Sequence, residues 1–120
     1  MSTNRDHLIH TIDELIGCST LLRATLSRYE RAMAKIAKQL ERGEPGITAA
    51  RGSGIPAQRR QVTEAIEEFE SARHQLRLAL FVVGQEEGAS ISEVGRVLGI
   101  SRQLSSRLAA EAAGRASDPE

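Results

Sequence analysis

The chain has 120 residues, 40% of them hydrophobic and only 2% aromatic, and its sixteen Lys and Arg residues cancel its sixteen Asp and Glu. That length holds one domain, or a small domain with an extension, and with Tyr29, Phe69 and Phe81 as the only aromatics the composition argues against one large globular core and for aliphatic helix seams. A net charge of zero is a poor signature for a nucleic-acid binder that relies on overall charge. Cys18 is the only cysteine, so no intrachain disulfide can form and nothing hints at secretion.

Asp13, Glu14, Arg23 and Arg28 interrupt the first forty residues, leaving no apolar run long enough for a signal peptide or a membrane span. The expectation is a soluble, cytoplasmic protein with no membrane contact.

From about Asp6 to Arg42 there is no proline, and the only glycine is Gly17. The residues favour helix, and apolar positions recur at spacings of four and three: Leu8, Ile12, Leu15, Leu22, Leu26, Tyr29, Met33, Ile36 and Leu40. A helix of this span is about 55 Å long, too long to bury its stripe against one small domain. It needs a partner, either a second copy of the chain or the second long helix below, so these nine positions are read as an oligomerisation seam. Ile9, Ile16 and Leu21 widen the stripe and favour a bundle over a bare two-stranded coil. Ser19, beside Gly17 and Cys18, breaks the seam, either as a register device or as a tolerated small residue. Charge is uneven here: Arg23, Arg28, Arg31, Lys35, Lys38 and Arg42 face only Glu30 and Glu41 over the same span.

Gly43 to Ala57 carries four of the ten glycines and two of the three prolines and reads as a flexible linker. Gly43 stands where a helix end takes a left-handed residue, and Pro45 blocks continuation. Arg51, within Arg51-Gly52-Ser53-Gly54, is placed to follow a minor groove as a mobile arm, although Gly/Ser composition alone explains the segment as a connector.

A second helix is predicted from about Gln58 to Val83, with seam positions Val62, Ile66, Phe69, Leu76, Leu80 and Val83 and with Arg73 falling in the seam. Glu64, Glu67, Glu68 and Glu70 precede Arg73 and Arg77, in keeping with the helix dipole. Gly84 and Gly88 are read as stop signals before the next element.

Gly88 to Ala112 reads as two short helices around the turn Leu98-Gly99-Ile100-Ser101. Ser90 caps the first, with Glu93 three residues on as in a capping box. Ile91, Val94, Val97 and Leu98 are expected to face inward, Gly95 to mark a close crossing, and Gly99 to supply the positive φ of the turn. Ser101 caps the second helix, whose Leu104 and Leu108 join Ile100 in closing a small core.

These residues resemble helix-turn-helix DNA-binding proteins, in particular the trihelical domains of small bacterial regulators and the promoter-reading domain of sigma factors. The resemblance covers about Leu76 to Ala112 and rests on Val94, Gly95, Leu98, Gly99, Ile100 and Leu108, followed by Ser101, Arg102 and Gln103. One departure is Ser105, where the family often has a branched apolar residue.

The resemblance implies double-stranded DNA as partner, with Arg102, Gln103, Ser106 and Arg107 on the groove side of a recognition helix spanning 101–112. Arg102 is suited to fork onto a guanine and Gln103 onto an adenine, while Ser106 and Arg107 meet bases or phosphates. Ser90, Ser92 and Arg96 are expected to contact the backbone from the first helix of the motif.

His7, His10 and Glu14 share a helix but lack a third and fourth partner for a metal, and no nucleophile, paired base or phosphate loop stands out. Neither enzyme activity nor a cofactor is expected. The expected organisation is thus all-α: residues 1–43 an oligomerisation helix, 44–57 a linker, 58–113 a scaffold helix with the helix-turn-helix, and 114–120 a disordered tail. The leading expectation is a homodimeric coiled-coil bacterial transcription regulator or nucleoid-associated DNA organiser. The alternative is a helical adaptor whose N-terminal helix binds RNA polymerase, a sigma factor or another regulator.

Overall fold

A computed structural model describes residues 3–116, all in helices and short turns: α1 (Thr3–Glu41), α2 (Gly46–Arg51), α3 (Ile55–Glu86), α4 (Ile91–Leu98) and α5 (Arg102–Ala116). The all-α class holds; α1 starts three residues earlier than its apolar pattern suggests, and α3 runs three residues further at each end. The described residues form two compact units, one of residues 16–70 and one of residues 3–15 with 71–116. No helix among the described residues is long and apolar enough to cross a membrane.

The two long helices pair within the chain. In the first-mentioned unit the end of α1 meets the start of α3, and Lys35, Ile36 and Gln39 line one groove with Ser53 and Gln58. In the other unit the start of α1 meets the end of α3: Asn4 bonds Glu86, and Arg5 reaches Glu87 at 3.2 Å. The seam that does this differs from the apolar pattern.

Along α1 the half-buried Leu8, Leu15, Leu22, Tyr29 and Ile36 alternate with Thr11, Cys18, Thr25 and Ala32, of which Thr11 and Thr25 are buried outright. Along α3 the large residues Ile55, Val62, Phe69, Leu76 and Val83 alternate with Ala65, Ala72 and Ala79 in the same way. Small residues every seventh position let two helix backbones approach closely. The threonines lose nothing by burial, because Thr11 Oγ1 donates to Leu8 O at 2.7 Å and Thr25 Oγ1 to Leu21 O at 2.8 Å. Ile12, Leu26, Leu40 and Ile66, read from the sequence as seam residues, are instead 37–47% exposed.

The segment read as a linker holds α2, which buries Ala49, and α3 begins inside it at Ile55. Alanine-rich composition around Thr48 to Arg51 supports that turn of helix despite the flanking glycines. At the other end, Gly114 to Ala116 continue α5 rather than fraying; the remainder of the expected tail lies outside the described residues.

α1, α3 and α4 end alike, each with a glycine of positive φ: Gly43 (+89°), Gly88 (+83°) and Gly99 (+70°). At α4, Gly99 N–H donates to Arg96 O at 3.1 Å and Ile100 N–H to Gly95 O at 3.0 Å, so two otherwise orphaned carbonyls are satisfied in the turn. Gly84 is no stop signal. It lies buried inside α3, where a Cβ would come within 2.7 Å of Val94 Cγ2, and so lets α4 pack against α3.

Candidate nucleic-acid interface

The end of α3 with α4 and α5 makes a trihelical core of Leu78, Phe81, Val94, Leu108, Ala109 and Ala112, and Leu98, Ile100 and Leu104 pack on its edge. Phe81 is wholly buried and stands where the three helices meet. Val94, Leu98, Ile100, Leu104 and Leu108 fall where the sequence puts them, but Val97 is 79% exposed and Ile91 41%. An eight-residue helix buries one narrow side, here through Val94, Gly95 and Leu98, and Val97 lies about 100° of helical rotation from Leu98 on the open side.

Both caps of the motif are present. Glu93 N–H donates to Ser90 Oγ at 3.1 Å and Ser90 N–H to Glu93 Oε1 at 3.3 Å, closing a capping box on α4. Leu104 N–H donates to Ser101 Oγ at 3.1 Å and fixes the start of α5. In each cap the serine oxygen accepts, so its own O–H remains able to donate to a phosphate.

Ser105 has a structural reason. Its side chain is buried, Oγ donates to Ser101 O at 2.8 Å, and it occupies the space that a Cβ on Gly95 would need, 2.1 Å from that position. A branched side chain at 105 has no room while α4 and α5 cross this closely. Gly95 and Ser105 together therefore set how α5 lies against α4.

α5 buries Ser105, Leu108, Ala109 and Ala112 along one side and exposes Arg102, Gln103, Ser106 and Arg107 on the other. At 100° per residue these four positions fall within an arc of about 140°, so their side chains form one outward group, as their spacing predicts. Ser90, Ser92 and Arg96 on α4 and Ser101 at the start of α5 are exposed as well. Arg96, Arg102 and Arg107 form no ion pair among the described residues, so their charge is available to an outside anion.

The far end of α5 is tied down by contacts that the sequence does not announce. His74 Nε2 on α3 lies 2.8 Å from Glu111 Oε2, and Arg115 donates to Gln75 Oε1 at 2.7 Å while lying 3.7 Å from Glu111. Partners 37 and 40 residues apart leave no local spacing to detect.

Of the other candidates, His10 lies 3.4 Å from Glu14, His7 is exposed, and Cys18 is a half-buried free thiol within the α1 seam. Arg51 ends α2 and is exposed. Of the nine expected oligomerisation residues, Leu8, Leu15, Leu22, Tyr29, Met33 and Ile36 are half-buried, whereas Ile12, Leu26 and Leu40 are exposed. Comparison with models of known families, with curated proteins and with solved structures returned no match to this chain.

Proposed function

We propose that the chain is a bacterial DNA-binding protein that reads duplex DNA with α5 in the major groove, acting as a homodimer in transcription regulation or DNA organisation in the cytoplasm. The observation that carries this reading is the outward group Arg102, Gln103, Ser106 and Arg107 on a helix anchored along its opposite side. An arginine and a glutamine at the first turn of such a helix match the edges of guanine and adenine. Ser90, Ser92 and Arg96 on α4, with Ser101, supply backbone contacts that orient the helix.

Selection from a random duplex pool tests the reading. Arg102→Ala is expected to cost roughly 10–100-fold in affinity for the selected site and to relax its sequence preference, as removal of a base-reading side chain does. Arg107→Ala separates its two roles: if the guanidinium binds a phosphate, its removal weakens all duplexes alike and lowers the salt slope by about one. Wild-type chain that retains no duplex at low salt refutes the reading.

A second reading is a helical adaptor that binds RNA polymerase, a sigma factor or another regulator. The exposed Ile9, Ile16, Leu21 and Leu40 on α1, in a chain with zero net charge, favour it. A stoichiometric protein partner held without any duplex shift supports this second reading against the first.

A further inference from the structure

We propose that the flank of α1 carrying Arg28, Arg31, Lys35, Lys38 and Arg42 is a second, sequence-independent DNA contact that binds the phosphate backbone. The proposal deepens the DNA-binding reading and rests on it for the identity of the polyanion.

Spacings of three and four keep these five cations on one side of the helix, over about 21 Å at 1.5 Å per residue. All five are exposed, and none forms an ion pair among the described residues. Arg28 and Arg31 touch only hydroxyls of their own helix, Thr25 Oγ1 and Ser27 Oγ, each at 3.3 Å. Of the two glutamates over the same span, Glu30 falls on the opposite flank, and Glu41, beside Arg42 at the end of α1, forms no ion pair among the described residues. In a chain whose total charge is zero, this is a line of positive charge that the fold does not neutralise.

The line matches nucleic acid better than an acidic protein. It carries one cation per roughly 5 Å, against one phosphate per about 3.4 Å of axis on a DNA strand. A protein interface centres on buried apolar anchors; beside these cations the exposed apolar residues Leu26 and Leu40 lie on the other flank of α1, and Leu21, on the cationic flank, precedes the line by two turns. Between the cations and the start of α3 runs an open groove of about 340 Å³, which Arg28, Arg31 and Lys35 line with Ser53 and Gln58. It leaves the long cationic stems free to turn towards a strand.

The experiment compares the full-length chain with the triple variant Arg31→Gln, Lys35→Gln and Lys38→Gln. These positions are exposed and glutamine keeps helix propensity, so the fold is retained, as circular dichroism checks. Affinities for a selected and a random duplex are measured between 50 and 200 mM salt. Removing three phosphate-binding cations lowers the slope of log K against log salt by about 2.7, so wild type loses roughly 40-fold more affinity than the variant over that range, equally for both duplexes. An unchanged slope overturns the proposal while a specific effect of Arg102→Ala leaves the α5 reading standing. A reduced slope with no effect of Arg102→Ala does the reverse. No duplex binding by wild type at 50 mM overturns both, and retention of poly-glutamate without duplex replaces this proposal with an acidic protein partner.

Discussion

Gly95 and Ser105 govern the helix-turn-helix as a pair. Either residue alone looks replaceable: glycine inside α4 costs about 1 kcal/mol of helix propensity against alanine, and serine is an unremarkable helix former. Together they are constrained, because a Cβ on Gly95 would lie 2.1 Å from Ser105 Oγ and 3.0 Å from its Cβ. Gly95→Ala is therefore expected to destabilise the chain by about 1–3 kcal/mol through overpacking, read as a lower urea midpoint. Ser105→Ala alone should be nearly neutral, since Ser101 O keeps the Ser105 N–H at 2.9 Å and alanine favours helix. Combined with Gly95→Ala it should restore part of the stability, because only the 3.0 Å approach then remains. Equal midpoints for the wild type and Gly95→Ala would show that α4 and α5 cross with room to spare.

At the scale of elements, the four longer helices and their order were legible in the sequence, whereas α2 and the small residues that complete the buried side of each long helix were not. Period, caps and terminal glycines depend on neighbours a few residues apart, so Ser90 with Glu93, Ser101 and Gly99 could be read directly. Choosing the buried side of α1 required weighing Thr11, Cys18, Thr25 and Ala32 against Ile12, Leu26 and Leu40, and hydrophobicity alone ranks the second set higher. The first set wins because small side chains suit a close helix seam, and because each buried threonine bonds its own helix. The same reasoning separates two substitutions at Thr25, which is 4% exposed. Thr25→Leu, more hydrophobic yet larger, is expected to cost about 1–3 kcal/mol of stability in denaturant titration. Thr25→Ala, which keeps the seam small and removes the hydroxyl with its acceptor still in the helix ladder, should stay within about 1 kcal/mol of wild type. Stabilisation by Thr25→Leu would return the seam to the purely apolar set.

For the whole molecule, pairing of α1 with α3 inside the chain changes what oligomerisation can rest on. Leu22 is half-buried in that intrachain seam, whereas Leu26 and Leu40, two sevens apart on α1, are 37% and 47% exposed, with Met33 between them and Ile12 two sevens before Leu26. Ser19, half-buried like Met33, is the polar member of that spacing of seven. A dimer reading thus predicts different failures at adjacent positions. Leu22→Asp places a charge in the intrachain seam and is expected to lower helix content and stability, by several kcal/mol if the carboxylate stays ionised. Leu26→Asp with Leu40→Asp leaves that seam intact and is expected to keep the helix content of wild type while halving the mass seen by light scattering. Duplex affinity of this double variant should fall as well, since two linked reading helices bind more tightly than one. A wild-type mass of one chain, or an unchanged mass in the double variant, removes the exposed line as the dimer contact.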